Sequence, residues 1–249
     1  MNQLLIIIFL FISVNFNIFS FTQDENDLLM AAETSDVSAM RRILNKQNVN
    51  VNVQDKYGVT PLMYCVLNKN IYTLELLLKN KANPDIKNDS GKTALIYACN
   101  SCDFDMIQML IWYNADVNIT DNYKSTVLMY ASNRDSNIIK LLIESGADIN
   151  AQNLDGKTAL MYNVLNTADV NIINTFISLG ADLNIQDIHG YNVLMYASIL
   201  DYKNLVSMFV EKGADINKRN NYNKTALTMA EENKNYKMAE LLIKYGAVR

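Results

Sequence analysis

The chain has 249 residues, of which 50% are hydrophobic and 19% are charged, and its formal net charge is −4. This balance excludes an intrinsically disordered chain, because such chains combine low hydrophobicity with high charge. The sequence has no dense basic run, so it offers no surface that matches a phosphate backbone or an anionic membrane. We therefore expect no nucleic-acid partner.

The N-terminal segment differs in composition from the rest of the chain. Its first 23 residues carry no charged side chain, and residues 4–14 are almost wholly Leu, Ile, Phe and Val. An apolar core of about 11 residues is typical of an export signal, whereas a spanning helix needs roughly 20. We predict a signal peptide over residues 1–22, and therefore a periplasmic or secreted protein.

Two features of this segment keep a second interpretation open. No Lys or Arg precedes the apolar core, and Ser20 is the nearest small residue in place of an Ala-x-Ala cleavage site. If the apolar stretch extends to Phe21, it becomes a marginal membrane anchor that tethers the protein. The abundance of Asn, Ile, Lys and Tyr indicates an AT-rich genome, and together with the export signal it favours a bacterial source.

A seven-residue phrase recurs along most of the chain. At residues 156–162 it reads Gly-Lys-Thr-Ala-Leu-Met-Tyr, and related copies begin at residues 58, 91, 124, 190 and 223. The six starts in chain order are therefore separated by 33, 33, 32, 34 and 33 residues. A fixed period in this range predicts a solenoid, in which each unit buries its apolar face only against its neighbours.

Each unit opens with an Asx residue that predicts a turn three positions before the glycine position. The Asx residues are Asp55, Asn88, Asp121, Asn153, Asp187 and Asn220. The glycine position predicts a positive φ, although Lys124 and Asn223 stand there in two units. Two positions later, a hydroxyl or amide side chain predicts the N-cap of a helix. These N-cap residues are Thr60, Thr93, Thr126, Thr158, Asn192 and Thr225.

A second helix follows a short polar loop in each unit. Its apolar positions fall within residues 74–78, 107–112, 138–143, 172–177, 205–210 and 238–243. It ends on Gly-Ala-Asp or a variant, where glycine is expected just past a helix end. One unit has a deletion between Thr126 and Ala147, and the next has an insertion between Leu160 and Ala181. We place both in the loops that join paired helices.

The order of elements in each unit resembles the ankyrin repeat. It consists of a turn, an inner helix that begins with a Thr-Pro-Leu-type phrase, an outer helix and a Gly-Ala-Asp link. The resemblance covers roughly residues 25–249 and implies an all-α solenoid of stacked helix-loop-helix repeats joined by β-turn links. We expect an N-terminal cap, five internal units and a C-terminal cap. Their predicted bounds are 25–54, 55–87, 88–120, 121–152, 153–186, 187–219 and 220–249.

The chain departs from the family at the histidine that usually follows the leucine of this phrase. Met63, Ile96, Met129, Met161, Met195 and Thr228 stand there. In the family this histidine forms hydrogen bonds within and between repeats, and thioether or alkyl groups are not expected to reproduce them. We therefore expect more apolar cohesion. A ladder of five tyrosines at the next position would supply part of it through packed rings. These are Tyr64, Tyr97, Tyr130, Tyr162 and Tyr196.

Catalytic and metal-binding chemistry finds little support in the sequence. Cys99 and Cys102 form a C-x-x-C motif, but the repeat register puts them near the end of an inner helix, where no thiol is activated. Cys65 occupies a small apolar position in its unit, and the one histidine, His189, is almost four repeats away from it. We predict a protein that is not an enzyme, with no cofactor, metal or small-molecule substrate. A redox protein is the remote alternative.

The resemblance to ankyrin repeats implies that turn tips and inner helices form a concave face that binds another protein. Tyrosine and arginine are favoured at such interfaces, and the tip positions vary from unit to unit. The candidate partner-binding residues are Tyr57, Val59, Tyr123, Arg134, His189, Tyr191 and Tyr222. A membrane-anchored or protective scaffold for an exported enzyme is the alternative function, and nothing in the sequence identifies the partner.

Overall fold

A computed structural model describes residues 21–133 and 135–248 of the chain. Residues 1–20 of the predicted signal peptide and Arg134 of the predicted interface therefore lie outside the described residues. Within the described ranges the chain forms fourteen helices and no β-strand, so the all-α solenoid is confirmed. None of these helices combines the length and the hydropathy that crossing a bilayer requires.

The helices form seven pairs, each with an inner helix followed by an outer one. Repeats 1 to 3 contain α1 Gln23–Glu33 with α2 Val37–Leu44, α3 Pro61–Leu67 with α4 Ile71–Lys79, and α5 Ala94–Ser101 with α6 Phe104–Trp112. Repeats 4 and 5 contain α7 Val127–Ala131 with α8 Ser136–Glu144, and α9 Ala159–Asn166 with α10 Val170–Ser178. Repeats 6 and 7 contain α11 Val193–Ile199 with α12 Lys203–Glu211, and α13 Ala226–Glu232 with α14 Tyr236–Lys244. Inner helices contact the inner helices of adjacent repeats, and outer helices contact outer ones.

The predicted N-caps are confirmed in all six phrases. Thr60 Oγ1, for example, accepts a hydrogen bond from the backbone N–H of Met63 at 3.2 Å, and Asn192 Oδ1 accepts one from Met195 at 3.0 Å. Each bond satisfies one of the backbone donors that a helix start leaves without a partner. The first helix is capped by Thr22 and begins at Gln23, two residues ahead of residue 25.

The core is one continuous cluster of buried apolar side chains that runs through all seven repeats. The residues at the family's histidine position contribute to it, since Met63, Ile96, Met161 and Met195 are each no more than 1% exposed. This burial confirms the predicted apolar cohesion. Because each inner helix buries its face against the next repeat, no repeat can bury its own apolar surface alone.

Hydrogen bonds between repeats accompany this apolar contact. Gln54 Nε2 donates to the backbone oxygen of Lys87 in the next repeat at 3.0 Å, and Gln186 Nε2 donates to that of Arg219 at 2.8 Å. Within repeat 4, Met129 Sδ accepts a hydrogen bond from the backbone N–H of Thr126 at 3.4 Å. The expectation that a thioether cannot serve in place of the histidine is therefore wrong for the bond within that repeat only.

The one-residue deletion in repeat 4 shortens an inner helix. Helix α7 has 5 residues, whereas the inner helices of its neighbours, α5 and α9, have 8 each. The predicted position in a loop is therefore corrected: α7 ends at Ala131, one turn early, and leaves space on the inner-helix side of the stack.

A glycine at a turn tip meets two physical requirements, a positive φ and a close approach to the next tip, and a glycine that follows the end of an outer helix separates the two. Gly156 has a φ of +73°, and a Cβ there would lie 2.7 Å from the backbone nitrogen of Ile188 in the next repeat. Gly180 also has a positive φ, +93°, but a Cβ there would meet nothing within 4 Å. We predict that Gly180→Ala lowers the free energy of unfolding by about 1–2 kcal/mol for the left-handed backbone alone. Gly156→Ala should lower it by about 1 kcal/mol more, because the backbones must separate.

Urea titrations of the two variants, followed by circular dichroism, measure this difference. Equal losses of stability would show that the close approach of adjacent tips contributes nothing.

Candidate partner-binding face

The turn that opens each unit is held by one side-chain oxygen. Asp121 Oδ1 accepts hydrogen bonds from the backbone N–H groups of Tyr123 and Ser125, both at 2.8 Å. The same pair of bonds recurs at the other five Asx residues, Asp55, Asn88, Asn153, Asp187 and Asn220. The predicted Asx turn is thus present in every unit, and it fixes the direction in which each tip points.

Backbone hydrogen bonds join each tip to the next. The N–H of Asp89 donates to the backbone oxygen of Tyr57 at 3.1 Å, and the N–H of Leu154 donates to that of Tyr123 at 2.9 Å. Equivalent bonds run from Asn122 to Ser90, from Ile188 to Asp155 and from Asn221 to His189. The six tips therefore form one continuous row in which adjacent tips hold one another in place.

A hydrogen bond to the tyrosine that follows the histidine position completes five of the six turns. Tyr64, Tyr130 and Tyr196 donate their hydroxyl protons to the Oδ2 atoms of Asp55, Asp121 and Asp187, with an oxygen separation of 2.7 Å at Asp121. At Asn88 and Asn153 the direction reverses, because an amide Nδ2 donates to the hydroxyl oxygen of Tyr97 or Tyr162. The predicted tyrosine ladder thus consists of half-buried rings that are hydrogen-bonded to their own turns.

These contacts change the acidity of the tyrosines in the expected directions. Burial, followed by the hydrogen bond to the Asp55 carboxylate, raises the pKa of Tyr64 to about 12. Burial and the carboxylates of Asp121 and Asp187 likewise raise the pKa of Tyr130 and Tyr196. Burial also raises the pKa of Tyr162, but there the hydrogen bond from Asn153 acts in the opposite direction, because an amide donor stabilises the phenolate.

The turn tips and the inner helices share one surface, which we call the tip face. A cavity of about 230 Å³ is lined by Tyr123 and Leu154 from the tips together with Tyr130 and Tyr162 from the inner helices. Beside it lies a larger cavity of about 520 Å³, which we call the notch. It is lined by Asn100, Ser125, Met129, Tyr130, Asn133, Tyr162 and Thr167.

The notch lies beside the shortened helix α7. Because α7 stops at Ala131, the amide of Asn163 in the next repeat reaches back to it and donates to the backbone oxygen of Ser132 at 2.7 Å. Asn163 is fully buried, and its Oδ1 has no hydrogen-bond partner among the described residues. An uncharged side chain that leaves one acceptor unsatisfied costs free energy, so the deletion is accommodated but at some cost to stability.

The structure places most of the predicted interface residues in the tip row. Tyr57, Tyr123, His189 and Tyr222 are exposed there, and Tyr123 is the most exposed of the three tyrosines at 70%. Val59 and Tyr191 are half-buried, and the Tyr191 ring stacks on Tyr196 with centroids 5.6 Å apart. Tyr191 therefore supports its own repeat as well as facing outward.

Two exposed apolar tips escaped the sequence prediction. Leu154 and Ile188 each follow an Asx residue, and both are more than half exposed. The signal was present in the sequence, since an aliphatic residue at a turn tip has no core to enter. The prediction considered only the two positions that flank the glycine and left out the position before them.

The cysteines are poorly suited to redox chemistry. Burial raises the pKa of the Cys65 thiol to about 12, and it also raises the pKa of Cys99. A reactive thiol needs the opposite shift. Cys102 caps the end of α5 with a φ of 59°, and its Sγ donates to the backbone oxygen of Cys99 at 3.5 Å. Among the described residues, no group of three or more His, Cys, Asp or Glu side chains is placed to hold a metal ion.

The tyrosine–carboxylate pairs predict how stability depends on pH in alkali. The native state keeps Tyr64 protonated up to a pKa of about 12, whereas the unfolded chain releases that proton near 10.0. The stabilisation is therefore complete below pH 10 and is lost as the pH rises through about 12. We predict that Tyr64→Phe, Tyr130→Phe and Tyr196→Phe combined make the melting temperature fall less steeply over this range. Thermal melts at closely spaced pH values check this, and an unchanged slope would contradict it.

Comparisons with known proteins place the chain in a family. The family described as "Ankyrin repeats (3 copies)" matches residues 2–88, 28–121, 68–153, 113–187 and 160–248. No curated protein matches the sequence. Among solved structures, the ankyrin repeat domain of Bcl-3, a member of the IkappaB protein family, has a TM-score of 0.78 and 25% identity, covering 87% of this chain and 97% of that one. In all, 620 chains of solved structures match, so structural similarity alone does not select a partner. The protein belongs to the ankyrin repeat family.

Proposed function

We propose that this protein binds a partner protein through its tip face and carries out no catalysis. One observation carries the proposal: exposed apolar tips form a row whose members are joined by backbone hydrogen bonds. Ankyrin repeats generally mediate protein–protein interaction, and the family and fold are typically non-catalytic. In this chain, the tip face is the surface that we propose for this interaction.

The tip row suits binding because its backbone is already ordered before a partner binds. The Asx turns and the tip-to-tip bonds already fix the backbone of Tyr57, Tyr123 and Tyr222. A tyrosine has only two side-chain torsions, so its burial costs little further conformational entropy. Leu154 and Ile188 lie between the second and third of these tyrosines and extend the apolar row.

The notch adds a place where a side chain of the partner can enter. Its lining is made of amides, hydroxyls, two tyrosine rings and the thioether of Met129. Lys92 lies over the Tyr130 ring with its Nζ 5.0 Å from the centroid, and Lys157 Nζ lies 3.7 Å from Asp155 Oδ2 at the tip side. These charged groups lie outside the lining, and the residues that line the notch carry no charge, which favours an uncharged polar or aromatic side chain of the partner.

We further propose that the protein is exported and that its signal peptide ends at residue 20 or 21, one or two residues before the predicted end at residue 22. The apolar segment at residues 4–14 motivates export. Thr22 supports the cleavage position, because its hydroxyl and the Glu25 carboxylate form a capping box at the start of α1. Removal of Thr22 would expose the first backbone donors of that helix.

Loss of the tip tyrosines should abolish partner binding. We predict that Tyr57→Ala, Tyr123→Ala and Tyr222→Ala combined weaken binding by about 100-fold or more, because buried tyrosines are frequent hot spots of such interfaces. Crosslinked pull-down from the native source identifies the partner, and calorimetry with the purified partner measures the loss.

A matched control carries Tyr236→Ala and Ile243→Ala, which remove exposed apolar side chains from the outer helix α14. It should bind as the natural protein does. Equal binding by the tip variant and the natural protein would remove the tip face as the interface.

The mass of the mature protein tests the export proposal. We predict that protein recovered from its native source lacks the apolar segment and starts at Phe21 or Thr22. Intact mass spectrometry reads the start directly, with the same chain expressed without the segment as the reference. A full-length mass in a membrane fraction would support the anchored alternative in its place.

A further inference from the structure

A groove between two outer helices carries aromatic side chains that the repeat does not require. It lies between α4 and α6, has a volume of about 510 Å³, and is lined by Ile71, Glu75, Asp105, Met109, Trp112 and Tyr113. Trp112, one of its two aromatic residues, is 82% exposed. The groove is on the outer helices, so it is separate from the tip face.

The other repeats show that a tryptophan is not needed at this position for folding. The positions equivalent to Trp112 are occupied by Lys79, Glu144, Ser178, Glu211 and Lys244. All these positions meet the same structural demands, because they stand at the same place in the same repeat. The fold therefore does not require the exposed Trp112, and together with the apolar floor of the groove it forms a contiguous exposed apolar patch of the kind that marks interaction sites.

We propose that this groove binds a basic amphipathic helix of a partner protein. The floor of Ile71, Met109 and Tyr113 packs against the core and offers an apolar strip. Glu75 and Asp105 line the groove beside this strip, and the lining residues include no cation. Lys79, outside the lining, forms an ion pair with Glu75 at 2.7 Å. That ion pair is exposed and weak, so the groove keeps a net negative rim.

Backbone chemistry selects a helix as the occupant. The two walls are helices, whose backbone groups are already paired, so an extended segment would lose water without gaining hydrogen bonds for its own peptide groups. The backbone groups of a helix are already hydrogen-bonded to one another, so a helix needs only an apolar stripe to bind here. From Asp105 to Trp112 the groove runs about 10 Å at 1.5 Å per residue, which matches two turns of a partner helix.

Charge selects a basic partner over a second copy or a lipid surface. The chain has a net charge of −4, and a two-fold dimer through this groove would bring Glu75 and Asp105 close to their own counterparts. An anionic membrane surface would be repelled for the same reason. Lysine or arginine side chains on both sides of a helical apolar stripe would instead meet the two carboxylates.

Trp112 is the only tryptophan in the sequence, so its fluorescence reports directly on the groove. The probes are two designed 18-residue amphipathic helices without tryptophan, identical except that the polar face carries lysines in one and glutamates in the other. We expect the lysine peptide to shift the Trp112 emission to shorter wavelengths as the ring leaves water, and added salt to weaken the effect. The glutamate peptide should leave the emission unchanged.

The repeats themselves supply conservative variants. Glu75→Gln introduces the residue found at Gln108, and Asp105→Asn introduces that found at Asn171, so neither should disturb the fold. Together they should weaken the lysine peptide by about tenfold. Trp112→Ser, which introduces the residue of Ser178, should weaken it at least as much by calorimetry. Tyr236→Ser, matched to Ser136, should have no effect.

Several outcomes would overturn the proposal. These are equal binding of both peptides, no emission shift with either, or a shift caused by concentrating the protein alone or by adding phosphatidylglycerol vesicles. The last two would assign the groove to a second copy or to lipid. The triple tip variant should leave the peptide effect unchanged, so this proposal and the tip-face proposal can fail separately.

Discussion

The array depends on one Asx side chain at the start of each unit. Its Oδ1 accepts two backbone N–H groups and so closes the turn, and in repeats 2 to 6 its second polar atom is held by the tyrosine nine residues later. The turn is thereby fixed to the inner helix of its own repeat, and its tip is bonded to the next tip. Without this side chain, the two backbone donors and the tyrosine hydroxyl would all need other partners, which makes its loss costly.

In a repeat protein, comparing equivalent positions distinguishes the residues that folding requires from those that function requires. Positions that are the same in every unit, such as the buried leucines and the N-cap hydroxyls, satisfy the stack. An exposed residue that differs from its equivalents in the other units is not required by the stack. By this criterion the tip row and the groove beside Trp112 are functional candidates for separate reasons: the tips vary from unit to unit, while the groove deviates in a single pair of helices. The two surfaces lie on opposite helices of each pair, so one molecule can hold two partners.

The periodicity of the sequence was sufficient to predict the helices, their N-caps, the glycine turns and the tip row. It was not sufficient to predict which side chains meet. Nothing in the spacing of Asp121 and Tyr130 indicates that a hydroxyl and a carboxylate pair across a turn, because that contact depends on how the inner helix leaves the tip. The shortening of α7 was also missed, since a deletion can be accommodated in a helix or in a loop without changing the period. Leu154 and Ile188 were missed for a simpler reason: only tip positions next to the glycine were considered.

The alternation of Asp and Asn at the turns gives the tip face a period of two repeats. Repeats 2, 4 and 6 carry Asp55, Asp121 and Asp187, whereas repeats 3, 5 and 7 carry asparagine with a lysine four residues later, at Lys92, Lys157 and Lys224. Because Oδ1 already accepts two N–H groups, each amide must turn its Nδ2 toward the tyrosine where one is present, and that orientation follows from the backbone. Tyr97 and Tyr162 consequently accept this bond and keep their own O–H groups for another acceptor, whereas Tyr64, Tyr130 and Tyr196 use theirs in hydrogen bonds to a carboxylate. A partner on this face therefore meets a hydroxyl donor beside an ammonium group in repeats 3 and 5, and a carboxylate that is hydrogen-bonded to a tyrosine hydroxyl in the repeats on either side.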